Sequence, residues 1–184
     1  MNKAHRLLRA LYHRFIRGNE LKDHIRRGLK VGRNFKMLEE VKLDHSHIWH
    51  IEIGDDVTLA PRVHILAHDA STRTHLGSTR IGKVTIGDRV FVGASSIILP
   101  GVTIGDDVVI GAGSVVTHDI PPGSVAAGNP ARVIGTLDAF LDRRRKEMQA
   151  HPCFGEEYTV EKHLSDAMKA DMNARMQDRI GYVT

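Results

Sequence analysis

Cysteine is almost absent from this 184-residue chain. Cys153 stands alone, so no intrachain disulfide can form and no oxidising compartment is indicated. Long apolar runs are missing too. No stretch approaches the roughly 18 apolar residues that a spanning helix needs. The basic N-terminus also lacks the uninterrupted apolar segment of a signal peptide. These absences make a cytoplasmic location the expectation. Acidic residues are scarce at the start, where Glu20 and Asp23 face eleven Lys and Arg within residues 1–36. That is a local balance of +9 in a chain whose net charge is +4. Such an arm suits anionic lipid or a phosphorylated substrate, or it is the solvated face of a capping helix. Nucleic acid is not expected as a partner, and peripheral membrane contact through this arm stays open.

What the chain does have is rhythm. Hydrophobic content of 41% with 26% charge is globular, and an aliphatic residue recurs every sixth position. Ile53, Leu59 and Ile65 keep the step, as do Ile86, Val92, Ile98, Ile104, Ile110 and Val116; Val31, Met37 and Leu43 form an earlier set. A period of six fits neither the helical 3.6 nor a long alternating strand, so it predicts repeated short strands and turns. Three rungs of six would close one triangular coil of a parallel β-helix. The Ile-Gly-Asp triplets at 53–55, 86–88 and 104–106 are expected at corners, since Gly and Asp tolerate tight-turn angles. The repeat spans residues 31–134. Residues 1–30 are expected to be a basic helical segment, with Leu8, Leu11, Tyr12 and Phe15 on one face. Residues 135–184 are expected to be a helical extension: Leu137–Met148, then a break at His151-Pro152, then Glu161–Arg179 with methionines at four-residue spacing.

The beat slips at two clear places. Between Leu43 and Ile53 lies Asp44-His45-Ser46-His47-Ile48-Trp49-His50. Three histidines so close admit a zinc site, a polar substrate lining or plain surface; strand alternation would put His45 and His47 on one face and His50 on the other. The second slip is larger. Ile65 to Ile86 holds an excursion at about residues 66–85, rich in Ser, Thr, Arg and His. Functional residues often sit on loops held by rigid scaffolds. His68 stands where the last regular strand ends, so it is a candidate general base, or else an ordinary loop histidine.

These features together resemble a known family. The repeat, the loop opening His68-Asp69, and the tail Ala127-Gly128-Asn129-Pro130-Ala131-Arg132-Val133-Ile134 are similar to hexapeptide-repeat acetyltransferases of the maltose, galactoside and exopolysaccharide O-acetyltransferase group. The resemblance implies a mainly β fold, a left-handed parallel β-helix, and a homotrimer with active sites between adjacent prisms. It implies acetyl-CoA as co-substrate, no metal, and transfer to a hydroxyl or amino group of a sugar or polysaccharide precursor. By motif, His68 takes the catalytic position, with His75 a second candidate on the substrate side. Cofactor contacts fall on Ala94, Ala112, Thr117, His118 and Arg132. The galactoside type carries Ser where Ala94 stands and Lys where His118 stands, which removes a hydroxyl contact and weakens a phosphate contact at neutral pH. Its acidic acceptor-binding residue has no clean match here; Asp44, His47 and Asp69 are the substitutes.

Rival readings stay open at this point. A γ-type zinc carbonic anhydrase resembles the same solenoid, although His64, His68 and His75 lack its spacing. A non-catalytic trimeric scaffold and an acyl-carrier-protein-dependent acyltransferase are the others. A covalent acyl-enzyme is not expected, because Cys153 lies beyond the coils and no Ser–His–Asp order is apparent.

Overall fold

Short strands, mostly of two or three residues and separated by turns, build the core of this protein. The structure, a computed structural model, describes residues 20–159, 162, 164–177 and 180–183. The amphipathic helix expected over residues 2–17 lies outside the described residues, and helical residues 20–26 lead into the first coil. Three parallel ladders follow, one per face of a prism. The first face stacks Lys30–Val31, Ile51–Ile53, Val84–Ile86 and Thr103–Ile104. The second stacks Lys36–Met37, Thr58–Leu59, Phe91–Val92, Val109–Ile110 and Ser124–Gly128; the third stacks Lys42–Leu43, His64–Ile65, Ile97–Ile98 and Val115–Val116. The architecture is the left-handed parallel β-helix that the repeat and its resemblance imply.

Register follows the six-residue beat directly. Val31, Ile53, Ile86 and Ile104 align on one face. Met37, Leu59, Val92 and Ile110 align on the next. Leu43, Ile65, Ile98 and Val116 align on the third. Leu59, Ile65, Ile98, Ile104 and Ile110 are completely buried, so each coil covers the apolar interior of the one before. The parallel stack ends in a hairpin: Ala131–Thr136 runs antiparallel to Ser124–Gly128, with a register shift at Val125 and Ala126.

The corners divide labour differently from the sequence expectation. Left-handed backbone angles fall not on the triplet glycines but further along, at Asn34, Glu40, Asp56, Arg62, Arg89, Ser95, Gly101, Asp107 and Gly113. This is a second six-residue beat, out of phase with the first. The triplet glycines serve close approach instead. A Cβ on Gly54 would sit 2.8 Å from the carbonyl carbon of Gly87, and one on Gly87 would sit 2.9 Å from the Asp106 amide nitrogen. The neighbouring aspartates form a ladder up the same corner. Asp55 accepts from the Arg33 amide at 2.7 Å, Asp88 from the Asp55 amide at 2.7 Å, and Asp106 from the Asp88 amide at 2.9 Å.

Residues 138–184 form a second unit. The helix Leu137–Ala150 ends at His151-Pro152. Strands Cys153–Phe154 and Tyr182–Val183 pair in parallel, and the helix Asp166–Met176 is capped by Ser165, whose hydroxyl accepts from the Met168 amide at 3.2 Å. Phe154 is buried, with the Arg175 guanidinium 4.3 Å above its ring. Met168, Met172 and Met176 are half-buried, which fits a packing stripe. Among the described residues, no helix is long and apolar enough to cross a membrane.

Candidate active site

Both slips of the beat open at the edge where the third face turns into the first. Leu43 and Ile65 are paired neighbours on successive coils, so Asp44 and Leu66 begin the same corner one coil apart. From there the chain runs to His68–Asp69, which pairs antiparallel with Arg80–Ile81 and closes the excursion as a small hairpin around the helix Arg73–Leu76. The Gly82 amide returns to the Ala67 carbonyl at 3.0 Å, so the scaffold holds both ends of the loop.

Asp44 is the anchor of this corner. Its side chain is 0% exposed, and each oxygen is doubly engaged. Oδ1 accepts from the amides of Ser46 at 2.9 Å and His47 at 3.1 Å; Oδ2 accepts from the Ala67 amide at 2.8 Å and meets His68 Nδ1 at 2.5 Å. Burial pushes the Asp44 carboxyl up. The bonds from His68, Ala67 and His47 outweigh that and hold it below its ordinary value. It is therefore a carboxylate at neutral pH, and His68 Nδ1 is the donor. The tautomer so fixed leaves Nε2 as a free base. The His68 side chain is 32% exposed, enough for a substrate to reach it.

Asp44, expected on the acceptor side, thus lies behind His68 with no oxygen facing solvent. His47 joins the pair from the same slip, its ring centroid 5.1 Å from that of His68. Alternation does not persist here, because Ile48–His50 forms a 3-10 turn. His47 and His50 consequently stack at 6.1 Å with 8° between their planes, while the exposed His45 is held by Arg27 at 2.6 Å. Asp69 accepts from the Ser71 amide at 2.8 Å and shapes the loop, and His75 sits on the exposed helix Arg73–Leu76. Asp44, His47 and His68 present ligand atoms within 4.8 Å of one another. This is a metal-compatible grouping that the sequence spacing concealed, although both oxygens of its carboxylate already carry two hydrogen bonds.

The other expected residues fall into two groups. Ala94 and Ala112 stack on successive coils at the corner between the second and third faces, where the Gly113 amide donates to the Ala94 carbonyl at 2.8 Å. Thr117 lies on the same edge as His68. Leu66 bonds to Ile98 and Leu99 to Val116, so Thr117 stands two coils along from Leu66, about 10 Å away at the usual strand spacing. Its hydroxyl meets His118 Nδ1 at 2.8 Å. Arg132 is exposed on the terminal hairpin opposite Ala127, with its guanidinium on the Ala131 carbonyl at 2.8 Å. The structure therefore joins His68, Asp44 and His47, aligns Thr117 and His118 on their edge, and leaves Ala94 and Ala112 across the third face.

A family model described as the hexapeptide repeat of succinyl-transferase matches residues 83–118. YvoF of Bacillus subtilis, a protein with an acetyltransferase assignment, is 35% identical over 121 residues, 66% of this chain and 68% of its own. Galactoside O-acetyltransferase of Escherichia coli is 44% identical over 116 residues, 60% of this chain and 55% of its own. Among solved structures, a hexapeptide-repeat acetyltransferase of Vibrio cholerae crystallised with acetyl-coenzyme A is 30% identical. It superposes with a TM-score of 0.54 over 60% of this chain and 61% of its own.

Proposed function

Because the chain belongs to the hexapeptide-repeat acetyltransferases, we propose that it transfers an acetyl group from acetyl-CoA to a hydroxyl of a sugar or polysaccharide precursor, with His68 as the general base. One observation carries this reading: the His68–Asp44 pair, 2.5 Å long and backed by a fully buried carboxylate, at the exit of the largest excursion from the coils among the described residues. Acetyl-CoA as donor is supported by the acetyl-coenzyme A complex of the Vibrio cholerae neighbour.

In this reaction the acceptor hydroxyl gives its proton to His68 Nε2 as its oxygen attacks the thioester carbonyl. The carbon–oxygen bond forms, the tetrahedral intermediate collapses, and the carbon–sulfur bond breaks. The imidazolium then returns the proton to the departing thiolate. Asp44 does not touch substrate; it is a positioning residue that fixes the His68 tautomer and offsets the charge that develops on the ring. The coenzyme lies along the later coils, at the backbone of Ala94 and Ala112 and beside Thr117 and His118, with Arg132 toward a phosphate. His47, Asp69 and His75 face the acceptor.

Ala94 and Ala112 lie on one edge of the third face, His68 and Thr117 on the other. One narrow cleft on a single prism cannot include both edges. A homotrimer in which one prism's His68 edge meets its neighbour's Ala94 corner resolves this. The metal reading has the Asp44–His47–His68 grouping in its favour. Each Asp44 oxygen already accepts two N–H bonds, however, so a cation would have to displace the bonds that hold the corner.

The deciding experiment is a thiol-release assay with acetyl-CoA and a panel of sugars, amino sugars and nucleotide sugars. Release dependent on a sugar, with intersecting double-reciprocal plots, is the expected result. Parallel plots would show a covalent intermediate and overturn direct transfer. Stoichiometric zinc in active protein would favour the metal reading.

A further inference from the structure

Trp49 is the chain's only tryptophan, and 51% of it is exposed. Leu76 and Ile134 are more exposed still, so what distinguishes Trp49 is its place on a rigid corner beside the base rather than its exposure. The backbone beneath it is pinned. Ile48 and Ile51 on either side are completely buried, and the His50 amide closes the turn on the His47 carbonyl at 3.0 Å. Gly28 packs against the root of the Trp49 side chain: it takes φ +106, and a Cβ there would lie 2.8 Å from the Cβ of Trp49. Arg27 clamps the same segment through His45 at 2.6 Å. Little conformational freedom remains to be lost when a ligand settles on this ring.

The indole also belongs to the aromatic cluster of the site. It lies 5.4 Å from His47, whose ring is 5.1 Å from His68, and 5.6 Å from His50. The surface so formed is an apolar face bordered by imidazole donors and acceptors, two ring contacts from the base. A pyranose has the complementary form. Its axial C–H bonds make an apolar face, and its hydroxyls project from the rim, where one can reach His68. Arg27, which holds the same segment, is engaged by His45 at 2.6 Å.

We propose that Trp49 is the stacking platform of the acceptor subsite and that its ligand is a pyranose ring laid on the indole beside His68. This rests on the acetyl-transfer reading above and narrows it to cyclic sugars. It also assigns Trp49 as a specificity-determining residue.

As the sole tryptophan, Trp49 reports its own occupancy. Indole emission is titrated with methyl β-galactopyranoside and methyl β-glucopyranoside, with open-chain galactitol and the nucleoside uridine as controls, in the absence of acetyl-CoA. A saturable change with a pyranoside and none with galactitol or uridine is the expected outcome. Kinetically, Trp49→Ala should raise the acceptor KM about tenfold and leave the acetyl-CoA KM in place; Trp49→Phe should recover part of the loss. Unchanged emission together with an unchanged acceptor KM would overturn the proposal while leaving acetyl transfer intact. A response to uridine alone would replace the sugar with a nucleobase. Dissociation of the oligomer in Trp49→Ala would make the ring an interface residue and also overturn the proposal. Should no sugar be acetylated by the wild type, a pyranoside-specific emission change would still separate this subsite from the failed reaction.

Discussion

In the proposed reaction His68 and Asp44 act as one unit, and substitutions at either should show it. His68→Ala should lower kcat by about 10²–10⁴ with folding intact, as loss of a general base does. Steady-state thiol release with circular dichroism checks this. Asp44→Asn should cost about as much in kcat, because an amide can donate to Nδ1 and turn the reactive Nε2 into a donor. The acetyl-CoA KM should hold, and the pH–rate profile should change shape, which a purely structural defect would not produce. Asp44 also carries a stability signature. Its folded pKa is depressed, so its contribution is present above the unfolded value of about 3.9 and is lost as pH falls through the folded value. The Tm gap between wild type and Asp44→Asn should therefore narrow on acidification from pH 7 toward pH 3. A gap that widened on acidification would contradict the direction of the shift.

Elements here are too short to stand alone, so what matters is how one rung meets the next. Gly87→Ala should destabilise by about 1–3 kcal/mol, since the new methyl meets the backbone of Gly105 and Asp106 on the adjoining coil. Gly113→Ala meets nothing within 4 Å; its cost is the left-handed backbone angle alone, about 1–2 kcal/mol. Thermal or urea unfolding distinguishes them when combined with Gly113→Asn, which should recover part of the second loss and has no parallel at Gly87. The aliphatic beat was legible because stacking is periodic: residues that must cover one another recur at the length of a rung. That is why Val31, Ile53, Ile86 and Ile104 could be grouped before any coordinates. The corner beat was not legible, because Glu40, Arg62 and Arg89 adopt left-handed angles that their residue types do not advertise. Asp44 is visible in the sequence as part of the first slip, but its pairing is not. Its partner lies 24 residues away, and the contact exists only because the intervening chain completes one coil.

At the scale of the whole molecule, the two slips are a single event. One coil apart on the same edge, they release chain from the stack and converge on His68. The repeat set where residues stack, whereas the departures from it could be located but not docked from sequence alone. A single subunit presents Ala94 and Ala112 on one edge of the third face and His68 on the other. Sedimentation equilibrium should accordingly give a mass near three chains, with activity falling as the protein is diluted below its assembly constant. A fully active monomer would remove the intersubunit site.

The terminal hairpin has a further consequence. A column of parallel coils is a growth surface, because each exposed rung offers the next chain the same pattern of amides and carbonyls. Ala131–Thr136 reverses direction against Ser124–Gly128 and shifts register while doing so, so the second face presents no parallel template to an incoming molecule. On that face the length of the ladder is written into the chain rather than left to concentration.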